Sequence, residues 1–229
     1  ELLGYVKAEK GNQEYLVADI GAGTGNLTLM LEERGLRVVS IEPNSAMREI
    51  GIERTTGKNV EWKVGTGEDT TLKSNSVNLA TFGSSFNTTD RFKSLKESHR
   101  ILKEGGYFTC MWNNRDLEND PVQKHVEQII RRFVSEYSHG TRRERQEEVI
   151  AESGLFKDIH YIERAKQVET TVDNYINAWR SVKNNYWDLD TNEGRNLFEK
   201  IVKDIHEELS KYEKLELTYI TKIWVAQKI

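Results

Sequence analysis

Leu16-Val17-Ala18-Asp19-Ile20-Gly21-Ala22-Gly23-Thr24-Gly25-Asn26 is the stretch on which the reading of this chain turns. Tyr15 to Ile20 is a short apolar run, the pattern of a strand buried on both faces. It runs into three glycines at alternate positions. Asn26 to Arg34 then carries Leu27, Met30 and Leu31 at helical spacing, with Gly35 as a stop. Glycines between a strand and a helix allow a tight turn and let a ligand reach the backbone without a Cβ in the way. In the dinucleotide fingerprint G-x-G-x-x-G the third glycine falls five positions after the first. Here Gly25 falls four after Gly21, position 26 is Asn, and an acid, Asp19, stands two before the first glycine.

Outward from the loop, strands and helices alternate. Leu36 to Glu42 reads as a second strand, Val60 to Val64 as a third, Val77 to Phe82 as a fourth and Tyr107 to Trp112 as a fifth. Helices are expected from Ser45 and over about Thr89 to Leu102, the latter closed by Lys103-Glu104-Gly105-Gly106. This rhythm predicts βαβ units, hence an α/β fold with a doubly wound parallel sheet covered on both faces. After Trp112 the rhythm breaks. Pro121 to Glu152 and Thr171 to Tyr212 are expected to be mostly helical, with a sixth strand over Phe156 to Ile162 and a terminal strand over Leu217 to Ala226. The helical stretches are too long for ordinary connections. They are read as helical cap insertions, about 114–152 and 171–214, in one domain spanning 1–229, above the carboxyl edge where open α/β sheets bind ligands. Leu2, Leu3 and Val6 share a face, so the sequence is expected to start inside a helix with further chain upstream.

The 229 residues carry 33 Lys and Arg against 37 Asp and Glu, a formal charge of −4 that gives no general field for nucleic acid. The composition, 37% hydrophobic and 31% charged, is that of a folded chain. No apolar run is long enough to span a membrane, so a cytoplasmic protein without membrane partners is expected. A single cysteine, Cys110, excludes an internal disulfide. No His, Cys, Asp and Glu cluster has metal-ligand spacing, so no metal is expected.

The pattern Asp19-x-Gly21-x-Gly23-x-Gly25 resembles motif I of the class I S-adenosylmethionine-dependent methyltransferases. Three further elements follow in order. Glu42-Pro43-Asn44-Ser45-Ala46-Met47-Arg48 is similar to that family's E-P-N-x-x-M-R stretch. Gly65-Thr66-Gly67-Glu68-Asp69-Thr70-Thr71-Leu72 is similar to its G-x-A-E-x-T-x-L element, and Arg100 to Gly106 to its R-x-L-K-P-G-G turn. The nearest look is to small-molecule methyltransferases of the ubiquinone/menaquinone-biosynthesis type, in the methyltransferase-11 group. That resemblance implies a Rossmann-like seven-stranded sheet of order 3-2-1-4-5-7-6 with strand seven antiparallel. It also implies S-adenosylmethionine as cofactor, S-adenosylhomocysteine as product and a small-molecule methyl acceptor.

By the same resemblance the cofactor contacts are Asp19, Gly21, Ala22, Gly23, Gly25, Glu42, Pro43, Met47, Gly67, Glu68, Gly83 and Ser84. An acid at the end of strand two, such as Glu42, can accept from both ribose hydroxyls of an adenosine. The acceptor side is expected at Phe86, Asn87, Trp112 and Asn113, completed by Tyr175, Trp179 and Arg180. Relatives place a histidine where Asn87 stands, so an imidazole base is missing there; His139, on a break in the second half, is the candidate base beside Asn87. Thr66 stands for a common Asp, Asn78 for another, and Glu104 for a Pro. Transfer to oxygen or nitrogen is expected. The alternatives are a non-catalytic binding or regulatory subunit, an RNA or protein methyltransferase, and a nicotinamide oxidoreductase, which the glycine spacing disfavours. The arginines at 131–132 and 142–145 alternate with glutamates and read as a solvated face. Oligomeric state is left open.

Overall fold

A computed structural model describes residues 2–9, 11–12, 14–138, 143–180 and 186–229. The elements in chain order are α1 (Leu2–Tyr5), β1 (Leu16–Ile20), α2 (Asn26–Glu32), β2 (Arg37–Ile41), α3 (Ser45–Arg54), β3 (Val60–Lys63), β4 (Val77–Gly83), α4 (Arg91–Ile101) and β5 (Leu102–Arg115). They continue with α5 (Pro121–Phe133), α6 (Glu147–Glu152), β6 (Phe156–Thr170), α7 (Val172–Arg180), α8 (Asn192–Leu209) and β7 (Leu215–Lys228). The sheet order is β3-β2-β1-β4-β5-β7-β6, the order the resemblance implied. β1 to β5 pair in parallel, with Ile20 opposite Ile41, Ile41 opposite Lys63 and Gly83 opposite Met111. The carboxyl ends of β1, β2, β3 and β4 therefore form one edge.

Two compact units make up the chain: Glu1–Trp112 with Thr141–Glu163 and Lys222–Ile229, and Asn113–Gly140 with Arg164–Thr221. In the first, alternate strand residues feed opposite faces, as the strand period of two requires. Ala18, Ile20, Val39, Ala80, Phe82 and Phe108 build one core, and Val17, Val38, Leu79 and Tyr107 another. Burial on both sides explains why these strands read as continuous apolar runs. The second unit is held by side chains from α5, α7 and α8. Val126, Ile129 and Ile130 pack with Tyr175, Ile176 and Trp179 and with Phe198, Ile201 and Ile205. Each such side chain, fully buried, contributes about 1.5–3 kcal/mol.

Local signals place the helices. Asp90 Oδ1 caps α4 by accepting from Lys93 N at 3.1 Å, and Asp120 Oδ1 caps α5 by accepting from Gln123 N at 3.0 Å, with Pro121 at the first helical position. Asp120 Oδ2 also accepts from Thr218 N at 2.6 Å, tying the start of α5 to β7. Three expectations are corrected. The helical stretch from Pro121 to Glu152 is two helices, α5 ending at Phe133 and α6 falling in the first unit. β6 runs to Thr170, well beyond Ile162, and β7 spans Leu215–Lys228. Lys103 to Gly106 is no stop before β5 but an irregularity inside it: Val77 pairs Leu102 while Leu79 pairs Tyr107, and Gly105 takes φ +71°. No described helix is long and apolar enough to cross a membrane.

Candidate functional site

At the carboxyl edge of the first unit, Gly21, Gly23 and Gly25 have φ of +69°, +58° and +83°. An L side chain enters that region only at a cost, so the loop needs its glycines for conformation. It needs Gly21 for space as well: a Cβ there would stand 2.5 Å from the Ser85 Cβ. Ser85 Oγ donates to Ile20 O at 2.6 Å and so fastens the end of β4 to the end of β1. The residue before it, Ser84, holds φ +66°, a strained setting for a serine, with its N–H on Met111 O at 2.8 Å. Behind the loop, Arg54 Nη1 donates to Thr24 O at 2.7 Å and to Asn26 Oδ1 at 2.9 Å.

Glu42, 6% exposed, lies against this loop. Its Oε2 accepts from Gly23 N at 2.8 Å and its Oε1 from Asn44 N at 2.9 Å. Two backbone donors thus fix the carboxylate, and each oxygen keeps a further lone pair for a hydroxyl donor. Arg48 Nη1 donates to Glu42 O at 2.8 Å and steadies the turn. Pro43 is exposed beside it, and Met47, 42% exposed, lies with its methyl 3.3 Å from where a Gly23 Cβ would be. A loop with three glycines at positive φ, a carboxylate fixed at its lip and an exposed thioether side chain suit an adenosine-bearing ligand. The residues present fit such a group.

Other expected residues lie beneath or beside this lip. Asp19 is fully buried under the loop, where its Oδ2 accepts from Thr28 Oγ1 at 2.6 Å and its Oδ1 has no hydrogen-bond partner. Burial pushes its carboxyl up to about 6, the Thr28 hydrogen bond opposing and the nearby Glu42 charge adding. Gly67 is required by packing, since a Cβ would meet Ser94 Oγ at 2.7 Å and Thr89 Cγ2 at 2.8 Å. Glu68 Oε1 accepts from Asp90 N at 2.7 Å, at the start of α4. Gly83 lets Leu27 approach, whose Cδ2 would lie 2.9 Å from a Cβ there. Ala22 is half-buried, its N–H on Ile41 O at 3.0 Å.

Of the expected acceptor residues, Asn87 and Trp112 meet: Trp112 Nε1 donates to Asn87 Oδ1 at 2.9 Å. Phe86 is fully buried between Phe82 and Phe108, with ring centroids 5.3 Å from each, so its ring belongs to the core. In the second unit Tyr175 and Trp179 are likewise buried, the Arg115 guanidinium lying 4.4 Å over the Trp179 ring. Arg180 faces outward, with Nη1 on Glu199 Oε1 at 2.8 Å. Asn113 and Tyr175 line one cavity of that unit. His139 lies outside the described residues.

Sequence reasoning missed Arg54, which no motif marks, and Thr28 and Ser40, whose hydroxyls sit 2.8 Å apart under Asp19; Arg48, inside the Glu42 to Arg48 stretch, and Ser85 were given no role of their own. The substitutions prove consistent with local roles. Asn78 Oδ1 accepts from Leu16 N at 3.0 Å, and Thr66 Oγ1 accepts from Asp69 N at 3.2 Å. His125 pairs with Glu208, which also takes Arg132 Nη1 at 2.5 Å.

The family model described as "Methyltransferase domain" matches residues 18–110, the span that holds this edge. Residues 18–110 match a methyltransferase domain. An uncharacterized methyltransferase of Mycobacterium tuberculosis is 36% identical over 100 residues, 44% of this chain and 40% of that protein. A ubiquinone/menaquinone biosynthesis C-methyltransferase of Rubrivivax gelatinosus is 31% identical over 96 residues, 42% of this chain and 38% of that protein. The matches thus span about two fifths of the length of these curated relatives. Among solved structures, a Bacillus subtilis protein superposes with TM-score 0.58 at 14% identity, covering 99% of this chain and 97% of its own. A phosphoethanolamine N-methyltransferase of Haemonchus contortus, solved with S-adenosyl-L-methionine, gives TM-score 0.54 at 15% identity, covering 99% of this chain and 52% of its own. These likenesses show that the chain shares the fold of these proteins.

Proposed function

We propose that this chain transfers the methyl group of S-adenosylmethionine to an oxygen or nitrogen of a small molecule, with S-adenosylhomocysteine as product. The observation that carries the reading is Glu42: a nearly buried carboxylate, held by Gly23 N and Asn44 N at the lip of a three-glycine loop, with lone pairs to spare. That set recognises a vicinal diol beside an adenine. The cofactor, when bound, supplies a methyl group activated by its sulfonium. The chain binds and aims. The glycine loop and Ser84 line the cofactor's amino-acid end, Glu42 fixes its ribose, and Pro43 and Met47 flank its adenine. Asn87 and Trp112 then form the wall on the acceptor's side.

In-line displacement needs alignment and exclusion of water more than covalent help. The Asn87 amide, its oxygen engaged by Trp112, is no proton acceptor at neutral pH, so the acceptor brings its own lone pair or is deprotonated by His139. A small acceptor agrees with the charge of −4 and with the described arginines, since Arg131 pairs with Glu127 at 3.2 Å and Arg145 with Glu147 at 2.6 Å. In the same reading 1–229 is one domain of a cytoplasmic enzyme, with insertions at about 114–152 and 171–214.

Calorimetric titration tests this. Micromolar binding of S-adenosylmethionine and S-adenosylhomocysteine, with none of NADH, is expected. Turnover of a small-molecule panel, read as S-adenosylhomocysteine release, then identifies the acceptor. Binding of NADH in preference to both sulfur ligands would overturn the reading.

A further inference from the structure

The second unit contains a cavity of about 350 Å³ that none of the residues assigned to the cofactor lines. Its size is that of a small-ligand site. Tyr175, Tyr219 and Leu217 form apolar walls, and Lys166, Asn113 and Asn174 stand among its polar lining. Two features set it apart from a packing gap. First, its charge is one-sided. Lys166 is its cation, no carboxylate is among the described lining residues, and Lys166 pairs with no carboxylate among the described residues. Lysines elsewhere on this unit are matched, as Lys214 is by Glu169 at 2.6 Å.

Second, its polar groups are arranged as in a site. Tyr175 presents its ring to the lining, while its buried hydroxyl is enclosed by neighbours that include Arg115 and Trp179. Arg115 is drawn to Glu127, with Nη2 to Oε2 at 2.8 Å. Asn113 Oδ1 accepts from Thr221 Oγ1 at 2.7 Å, which fixes the orientation of the Asn113 amide. Asn174 lies in the first turn of α7, beside Asp173, with its own N–H on Thr171 Oγ1 at 3.2 Å.

We infer that this cavity binds a small molecule with an aromatic or apolar body and an anionic head, a carboxylate or a phosphate, the head meeting Lys166 and the Asn113 and Asn174 amides. The inference concerns the second unit by itself and stands apart from the cofactor assignment.

Phenyl phosphate and benzoate, with benzyl alcohol as the neutral control, are titrated into the whole chain while ligand-observed NMR and calorimetry follow binding. Saturable binding of at least one anion is expected, weakening with added salt. Lys166→Gln is expected to weaken the anion by about tenfold and leave the alcohol unchanged, as loss of one partly screened charge-assisted contact does. Ala178→Trp, which crowds the lining from an exposed helical position, should abolish binding of the anions while the circular dichroism spectrum is retained. Phenyl phosphate alone binding assigns a phosphate head, and benzoate alone a carboxylate head. Binding of neither, or an affinity unchanged in both variants, would overturn the inference. S-adenosylhomocysteine binding, read in the same samples, reports on the cofactor assignment separately.

Discussion

Within five residues of the first unit stand three glycines at positive φ, and around them Gly67 and Gly83 are held by close approach. The second unit is ordered by other means: Tyr137 stacked on Trp187 at 5.7 Å, Arg115 over Trp179, and Arg115 and Arg131 converging on the buried Glu127. One region is specified by what its backbone must do, the other by side chains that meet across long sequence separations. A backbone requirement tolerates few substitutes, whereas a packed core tolerates many of similar volume. That difference predicts where each unit breaks.

The largest effect is expected at Gly21→Ala. The left-handed φ and the Ser85 Cβ at 2.5 Å oppose the new methyl together, for about 2–4 kcal/mol of stability. Cofactor binding should fall below detection in a chain that still melts cooperatively; full affinity in the variant would break the comparison. Next is Arg115→Ala in the second unit. Arg115 and Glu127 have side chains 12% and 9% exposed, so truncation strands a buried carboxylate beside the more exposed Arg131. The cost is about 2–4 kcal/mol in urea unfolding, with S-adenosylhomocysteine affinity retained.

A smaller effect is tied to pH. Because burial holds the Asp19 carboxyl near 6, the folded chain binds a proton there that the unfolded chain has released. Between about pH 4 and pH 6 this group therefore makes stability fall as pH rises, with its contribution fully present below the unfolded pKa and lost above about 6. Asp19→Asn removes that slope. The variant should gain about 1–3 kcal/mol over the parent between pH 4.5 and pH 7.5 in paired urea melts; a constant difference would show that Asp19 is not held protonated. Smallest is Tyr175→Phe. With no aligned hydrogen bond to lose, it should be neutral or stabilising by up to about 1 kcal/mol.

The same contrast explains what could be read from the sequence. The glycine loop and the parallel strands were legible because strands buried on both faces leave unbroken apolar runs and a loop at positive φ writes glycine into the sequence, whereas the strand order came only with the family resemblance. Gly67 was read as a ligand contact, and its packing against Ser94 and Thr89 depends on a helix that begins over twenty residues later. Phe86 sat inside a plausible site motif, yet an aromatic ring next to Phe82 and Phe108 finds more apolar contact in the core. The far half of β6 escaped notice because Glu163 to Gln167 is exposed throughout and shows no alternation. The pairing of His125 with Glu208 joins residues 83 apart, which no local pattern marks.

The central claim is that Glu42, fixed by the glycine loop, holds the ribose of S-adenosylmethionine. Calorimetric titration of S-adenosylhomocysteine into the parent chain and into Glu42→Ala tests it most directly. Micromolar affinity for the parent and a loss of roughly 10- to 100-fold in the variant, the worth of a charge-assisted pair, are expected. Equal affinity in the two proteins would contradict it.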